Sequence, residues 1–216
     1  MSALAAGRRW CGAGLAALLL VAGCVREPAD AAATWPEGTV LVVEGIPIKA
    51  AEVDEHLDAV RAIRPAISEE QLRRLVLMNQ SLPRALAEAE GGPRRAEALE
   101  QARAWLAEYG AGERSFEGVP AVTGNWDLIG FDLWLAARHG AAEEVLGPLE
   151  LPGRQALVLV EARGGSHRPE LESFLLRVVE FPFVEAPDEL PTRATGARIE
   201  VVDPAWRDIL PGIYKY

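Results

Sequence analysis

The chain has few basic residues, cysteines and histidines, and each shortage excludes a class of protein. Its 216 residues include 22 lysines and arginines against 32 aspartates and glutamates, whereas a nucleic-acid binder needs a basic surplus. Two cysteines are too few for a disulfide scaffold or a cysteine-rich zinc module. None of the three histidines has another histidine, a cysteine or an acid at a clear ligand spacing. We therefore expect no nucleic-acid partner, no metal and no cofactor.

Short catalytic and phosphate-binding motifs are missing as well. The pairs Gly91-Gly92 and Gly164-Gly165 lack the strand-to-helix glycine pattern of a phosphate cradle. Ser166 precedes a histidine but lacks the Gly-x-Ser-x-Gly elbow of a hydrolase. The remaining composition, 50% hydrophobic and 25% charged, is that of an ordinary globular protein with one domain or two small ones.

The N-terminus carries the features of an export signal. Arg8 and Arg9 precede an uncharged, mostly apolar stretch from Trp10 to Ala22. This stretch is too short to span a membrane, which takes about 20 apolar residues. It leads into Leu20-Val21-Ala22-Gly23-Cys24, which resembles a bacterial lipobox.

The lipobox resemblance implies where the mature chain begins and where it resides. Residues 1–23 would be removed as a lipoprotein signal peptide, and Cys24 would become the first mature residue, carrying a diacylglyceryl group. The acyl chains would hold the protein on the membrane of the cell envelope, facing the periplasm or extracytoplasmic space. Val25 after the cysteine, rather than aspartate, favours the outer membrane. The alternative is an ordinary signal peptide cleaved nearby, with Cys24 unmodified.

The mature chain divides into a tether and two regions of different character. Residues 24–38 have no apolar periodicity and are expected to link the anchor to the body. Residues 39–110 predict a short strand, Val40 to Val43, followed by three or four helices. Residues 111–216 predict at least one helix and about three strands. The expected fold class is therefore α+β.

Prolines and glycines mark the expected helix ends in the first region. A helix is expected from Ala50 to a stop at Pro65, with Val53, Leu57 and Val60 on one face.

The next helix opens with a capping box over Ser68 to Gln71. Its apolar face begins with Leu72, Leu75 and Val76. Pro83 then predicts a break or a kink, with a helix restarting at Ser81. Gly91-Gly92 predicts the end of that helix, and Pro93 the first turn of another.

Beyond Gly110 the expected elements are shorter. Residues 111–125 are expected to be a loop, and Asp127 to His139 a short helix. Strands are expected at three apolar runs, which are Leu157 to Val160, Phe174 to Val184 and Ile199 to Val202.

The segment Val43 to Val53 resembles the opening of SurA and PrsA-type extracytoplasmic chaperones. Those proteins begin with a short strand, a glycine turn, an isoleucine and a helix with an acid–aliphatic pair at this spacing. They usually have asparagine at the position of Glu44. The match extends through Glu70 to Leu77 and Leu86 to Glu90. The resemblance covers residues 39–110 and implies a SurA-like helical chaperone module.

A second segment, Gly147 to Arg163, looks like the last hairpin of a parvulin-type (PpiC-like) prolyl isomerase domain. The family has a glycine-aromatic-histidine triplet entering the final strand, and here those positions hold Arg154, Gln155 and Ala156. The missing histidine and the short span ahead of the hairpin imply a reduced parvulin-like module over residues 111–216.

Two later segments fit the same family order. Ile199 to Trp206 is similar to the C-terminal strand and tail that close many of these foldases. The strand from Leu175 to Phe183 can pair with the hairpin and rebuild the sheet from its other side. Arg177 and Glu180 then supply charges where the family uses histidines.

The resemblance implies a role in protein folding. Foldases of this type bind unfolded or extended segments of exported polypeptides, in apolar clefts lined by aromatic side chains. The candidate client-binding residues are Trp105, Trp126, Phe131 and Trp134, and burial in the core is the alternative for each of them. Because the site histidine is absent, no catalytic residue is assigned.

Three functional hypotheses follow. The first is a lipid-anchored, chaperone-like protein that binds exported polypeptides without isomerase activity. The second is an active peptidyl-prolyl isomerase, which would desolvate and twist the X–Pro amide. The third is a structural envelope lipoprotein with no client. Suppression of aggregation without proline turnover would favour the first, turnover the second, and neither activity the third.

Overall fold

A computed structural model describes residues 35–214. The predicted signal peptide, the lipidation at Cys24 and most of the tether lie outside the described residues. Residues from Trp35 onward group into one unit, and its fold is α+β, as expected. Within the described range no helix is both long and apolar enough to cross a membrane.

The described part of the chain contains seven strands, six α-helices and one π-helical turn. The strands are β1 (Thr39–Val43), β2 (Ile46–Lys49), β3 (Ala121–Gly124), β4 (Val145–Leu151), β5 (Arg154–Gly164), β6 (Ser173–Pro182) and β7 (Ile199–Val201). The helices are α1 (Ala50–Ile63), α2 (Glu69–Val76), α3 (Leu82–Gly110), α4 (Trp126–Ile129), α5 (Phe131–His139) and α6 (Leu190–Ala194). The π-turn, Leu77–Ser81, joins α2 to α3.

The first sheet brings the two ends of the described chain together, in the order β2-β1-β7. A two-residue turn joins β1 to β2, with Glu44 at φ 50° and Gly45 at φ 87°. Two successive residues of positive φ suit a tight antiparallel hairpin. The sequence predicts β1 and the turn but not β2, because β2 is only four residues long and contains Pro47.

The helical faces of α1 and α2 pack as predicted. The Ser68 hydroxyl accepts from the Gln71 N–H at 3.2 Å, and the Gln71 side-chain oxygen accepts from the Ser68 N–H at 3.1 Å, which confirms the capping box. On α2 Leu72 and Val76 are buried, whereas Leu75 is partly exposed. The buried residues of α1 are Val53, Leu57, Val60 and Ile63. All of these side chains belong to one hydrophobic cluster.

The chain from α2 to α3 is one continuous helical segment, so the helix end predicted at Gly91-Gly92 is wrong. At Pro83 the helix does not break; a π-turn ends at Ser81, two residues before it, so the irregularity is local. Gly91-Gly92 does not end the helix, and Pro93 lies inside it. A Cβ on Gly91 would approach the carbonyl oxygen of Phe183 to 2.5 Å. The glycine therefore permits a close helix–backbone contact instead of terminating α3.

Two predictions for the second half need correction. The single helix expected over Asp127 to His139 is two helices, α4 and α5, because the chain turns at Gly130 with φ 85°. The loop expected over residues 111–125 contains β3, which pairs with β6. A four-residue strand beside a glycine and a proline gives too short a pattern to be recognised in the sequence.

The second sheet has the order β3-β6-β5-β4. Strands β4 and β5 form the predicted hairpin, and β6 pairs with β5 along most of its length. On one face the ring of Trp134 packs edge-on against Phe174, with 6.4 Å between centroids. Side chains alternate between the two faces along β5, so Leu159 lies on the other face, beside Tyr109 and Phe116. The sheet is therefore covered on both sides.

Candidate functional site

A groove of about 300 Å³ lies between the helical segment and the turn of the β4–β5 hairpin. We call it the central groove and define it by lining residues within 79–83, 126–133, 151–154 and 187–191. These four segments are far apart in the sequence, so only the folded chain creates the groove.

The π-turn forms the helical wall of the central groove. Asn79, Gln80 and Pro83 line it from this side. A π-turn widens the helix locally and shifts the following side chains around its axis, and such turns occur often at functional sites. Gln80 follows Leu72 and Val76 at helical spacing on the same buried face. A polar residue therefore occupies a position where the helical repeat predicts an apolar one.

The opposite wall is built by α4 and α5, which meet at Gly130. The left-handed backbone of this glycine lets the chain change direction, and Trp126 before it and Phe131 after it both line the groove. The guanidinium of Arg64 lies 5.0 Å from the ring centroid of Trp126 and supports one face of the indole.

The hairpin turn and the segment after β6 close the remaining sides. The carbonyl oxygen of Gly153 accepts hydrogen bonds from the N–H groups of Phe183 and Val184, at 2.9 and 3.2 Å. These bonds hold the following segment, so that Pro187 and Pro191 line the groove. Proline rings present rigid apolar surface with little entropy to lose on binding.

A polar network lies at the base of the groove. Gln80 is only 4% exposed. With its side-chain amide nitrogen facing Asp132, it donates to the two carboxylate oxygens of Asp132 at 3.0 and 2.8 Å. Arg84 donates to Asp132 at 3.0 Å and to the carbonyl oxygen of Glu150 at 3.1 Å. The network joins α3, α5 and β4, and it satisfies a largely buried carboxylate.

Charged groups also border the groove at its edge and behind it. Arg154 donates to Asp188 at 2.7 Å and to Glu180 at 3.1 Å, and both Arg154 and Asp188 line the groove. Behind the network, the hydrogen bond from Arg95 to the Glu150 carboxylate, 2.5 Å long, raises the pKa of the Arg95 guanidinium. The β4 end of the groove is therefore tied to α3 by charge-assisted contacts.

The structure separates the four candidate client-binding aromatics. Trp126 and Phe131 both line the central groove, but Phe131 is only 8% exposed and belongs to the hydrophobic core, so the partly exposed Trp126 provides most of the aromatic surface. Trp134 has 0% exposure and donates its indole N–H to the carbonyl oxygen of Glu172 at 3.1 Å, so it lies in the core. Trp105 stacks on Tyr109, with 5.8 Å between centroids, and does not line the groove.

The polar residues of the groove are largely absent from the sequence prediction. Gln80 and Arg154 in the groove, and Arg84 outside its lining, form no motif in the sequence, since their roles depend on partners from other segments. The one usable signal is Gln80 at an apolar helical position. Asp132 belongs to no motif in the sequence, whereas the structure gives it an arginine and a glutamine as partners.

The position of the parvulin histidine lies away from the groove. Ala156 has 0% exposure within β5, opposite Leu149 on β4, and Gln155 beside it is also buried. Neither residue lines the central groove. In residues 35–214 no cluster of three or more His, Cys, Asp or Glu residues could hold a metal ion.

The central groove can hold an apolar ligand and hydrogen-bond it at a few fixed points. Its lining combines aromatic, aliphatic and proline side chains with six polar or charged residues, which are Asn79, Gln80, Asp127, Asp132, Arg154 and Asp188. No family model, curated protein or solved structure matches this chain. The functional assignment therefore depends on the geometry of this groove.

Proposed function

We propose that this protein is a lipid-anchored extracytoplasmic chaperone-like factor that binds extended segments of exported polypeptides in the central groove. The observation that carries the proposal is the joint position of Trp126 and Phe131 on one wall of a groove between the helical segment and the hairpin turn. The resemblance of residues 39–110 to SurA and PrsA-type chaperones supports the same role.

The chemistry of the groove suits an unfolded segment rather than a folded partner. Its volume of about 300 Å³ accommodates a few side chains and is too small for a protein surface. Large aromatic and proline surfaces accept many apolar side chains without demanding one shape. Asn79, Arg154 and Asp188 at the groove provide polar groups for the main chain of an extended segment.

The residue at position 156, Ala156, supports binding of clients without isomerase catalysis. An alanine neither donates nor accepts a hydrogen bond from its side chain, and this one is completely buried outside the groove. The groove also has no histidine in its lining. Clients would therefore be held and released without chemical change.

The lipid anchor belongs to the same proposal. Acylation of Cys24 would place the groove at the surface of the membrane, where exported chains emerge unfolded. Cys24→Ala should release the protein from the membrane fraction or leave an uncleaved precursor. Intact-mass analysis that finds a mature N-terminus elsewhere, without an acyl mass, would contradict the anchor but would leave the groove proposal standing.

The test of client binding compares two neighbouring side chains of α4. Trp126 lines the groove, whereas Leu128 is 77% exposed and does not line it. Light scattering would follow the aggregation of a chemically unfolded model protein with increasing amounts of each variant. Trp126→Ala should require several times more protein for the same suppression, and Leu128→Ala should behave as the unmodified chain does.

The difference in aggregation suppression reports on client binding by Trp126 only if both variants stay folded. Thermal unfolding of each variant provides that check, because both side chains are at least partly exposed and should tolerate truncation. Equal suppression by the two variants, or greater loss with Leu128→Ala, would refute the central groove as the client site.

A further inference from the structure

The outer edge of β7 carries two residues whose main-chain groups point away from the sheet. The carbonyl oxygen of Arg198 and the N–H of Val202 both bond to residues of the β1 hairpin, each at 3.0 Å. Hydrogen-bonding groups alternate in direction along an antiparallel strand. Ile199 and Val201 therefore direct their N–H and C=O groups to the open edge.

Two guanidinium groups border the same edge. A cleft of about 480 Å³ runs along β7 and is lined by Arg198, the strand itself and Arg207. Both arginines are exposed, and within residues 35–214 neither lies in an ion pair, whereas thirteen other arginines in that range do. Two arginines against Glu200 give the cleft a net positive charge in a chain whose formal charge is -10.

We propose that the open edge of β7 is a second polypeptide-binding site, separate from the central groove, for an extended segment that carries aspartate or glutamate side chains. The segment would add as a fourth strand beside β7 and exchange hydrogen bonds with Ile199 and Val201. Its acidic side chains would reach Arg198 and Arg207 across the cleft.

The three other sheet edges, β2, β3 and β4, suit such an addition less well, and the four residues of β3 (AVTG) carry no charged side chain. Pro47 lies in β2 and Pro148 in β4, and proline cannot donate to an added strand. β7 contains no proline, and its arginines select for charge as well as for extended shape. Main-chain hydrogen bonds supply affinity in this mode of recognition, and side-chain contacts supply specificity.

A second copy of this chain is a poor occupant of the edge. Two-fold antiparallel pairing of β7 with itself through Ile199 and Val201 would place the two Glu200 side chains directly opposite each other. Like charges opposite one another destabilise a strand pair. A strand of a different sequence can place an acidic residue opposite Arg198 and an uncharged residue opposite Glu200, and it then avoids this clash.

The test uses the full chain with Cys24→Ser and measures fluorescence anisotropy of a labelled peptide of repeating Val-Glu-Val-Ser, in which glutamate can face Arg198 while serine faces Glu200. A peptide of repeating Val-Lys-Val-Ser is the charge control. The acidic peptide should bind saturably and at least tenfold more tightly than the basic peptide. Arg198→Glu and Arg207→Glu should each weaken binding about tenfold or more, since each reversal replaces attraction with repulsion.

Arg94→Glu is the matched control for these two variants. Arg94 is another exposed arginine that lies in no ion pair within the described range, but it sits on α3 away from the cleft. Its reversal should leave peptide affinity unchanged within twofold. Val201→Pro removes an outward N–H without removing a bond to β1, so it should also weaken binding.

Three results would overturn the proposal. One is equal binding of the acidic and basic peptides, and another is no saturable binding of either. The third is a dimer of the unliganded protein, seen by light scattering, that Arg198→Glu converts to a monomer, because a second copy would then occupy the edge. Trp126→Ala should leave acidic-peptide binding unchanged, which keeps this test independent of the central groove.

Discussion

Gly91 and Gly92 are neighbours in α3 with different surroundings, so alanine at each should have different effects on stability. Replacing glycine by alanine within a helix normally adds about 1 kcal/mol to the free energy of unfolding. At Gly92 the new methyl group would meet only the Glu88 carboxylate, at 2.7 Å. That group is the end of a flexible, partly exposed side chain, which can move aside. Gly92→Ala should therefore stabilise the protein by up to about 1 kcal/mol.

At Gly91 the same methyl group would lie 2.5 Å from the carbonyl oxygen of Phe183 and 2.7 Å from a methyl group of Val184. Backbone cannot move aside as a carboxylate does, so α3 and the segment after β6 must separate. Overpacking of this kind costs about 1 to 3 kcal/mol. Both variants gain the same stability from the higher helix propensity of alanine. Gly91→Ala should therefore be less stable than Gly92→Ala by about 1 to 3 kcal/mol.

Urea denaturation of the two variants beside the unmodified chain measures this difference directly. For a protein of this size 1 kcal/mol corresponds to about 2 to 4 °C in the thermal midpoint, so calorimetry provides a second reading. Each variant controls for the other in composition and helix propensity. Equal stability of the two variants would show that α3 does not approach Phe183 closely, and the explanation for the uninterrupted helix would fail with it.

Two further predictions follow from burial, and a third follows from the alanine at position 156. Leu72 is almost fully buried, so Leu72→Ala should lower the free energy of unfolding by about 2 to 5 kcal/mol, and Leu75→Ala by less because Leu75 is partly exposed. Equal losses in a denaturant titration would contradict this packing. Burial raises the pKa of the Tyr214 phenol above its ordinary value of 10.0, so its contribution to stability is fully present below that pH and is lost as the pH rises through the raised pKa. Tyr214→Phe should make the fall in urea midpoint above pH 10 shallower, and an unchanged fall would refute the assignment to Tyr214. A protease-coupled assay on a proline tetrapeptide should show only the uncatalysed exchange, which takes tens to hundreds of seconds, because Ala156 stands where the resemblance to parvulins implies a histidine. A clearly faster rate would contradict the non-catalytic proposal.

Local signals in the sequence predict much of the fold. The capping box at Ser68, the stop of α1 before Pro65 and the hairpin of β4 and β5 each depend on residues close together in the chain. Helix faces are equally local, because burial follows the helical repeat of apolar residues. These features therefore match the structure.

Long-range contacts explain the predictions that were wrong. Gly91 looks like a helix end because the sequence does not show that Phe183 packs against it. The central groove could not be predicted from the sequence either, because its walls come from four separated segments. Of the four candidate aromatics, sequence alone could not tell Trp126 at the groove from Trp134 in the core, because both follow the same apolar pattern.

The antiparallel pairing of β1 with β7 joins residues more than 150 positions apart, such as Val42 and Glu200. If the chain is exported as we propose, such closure cannot begin while its C-terminal part is still being translocated. An exported chain emerges with its N-terminus first, so the β1–β2 hairpin would reach the envelope long before β7, the strand that pairs with β1. During that interval Leu41 and Val43, which the finished sheet buries, would face other unfolded chains. A protein proposed to shield emerging polypeptides would thus itself need shielding during its own export.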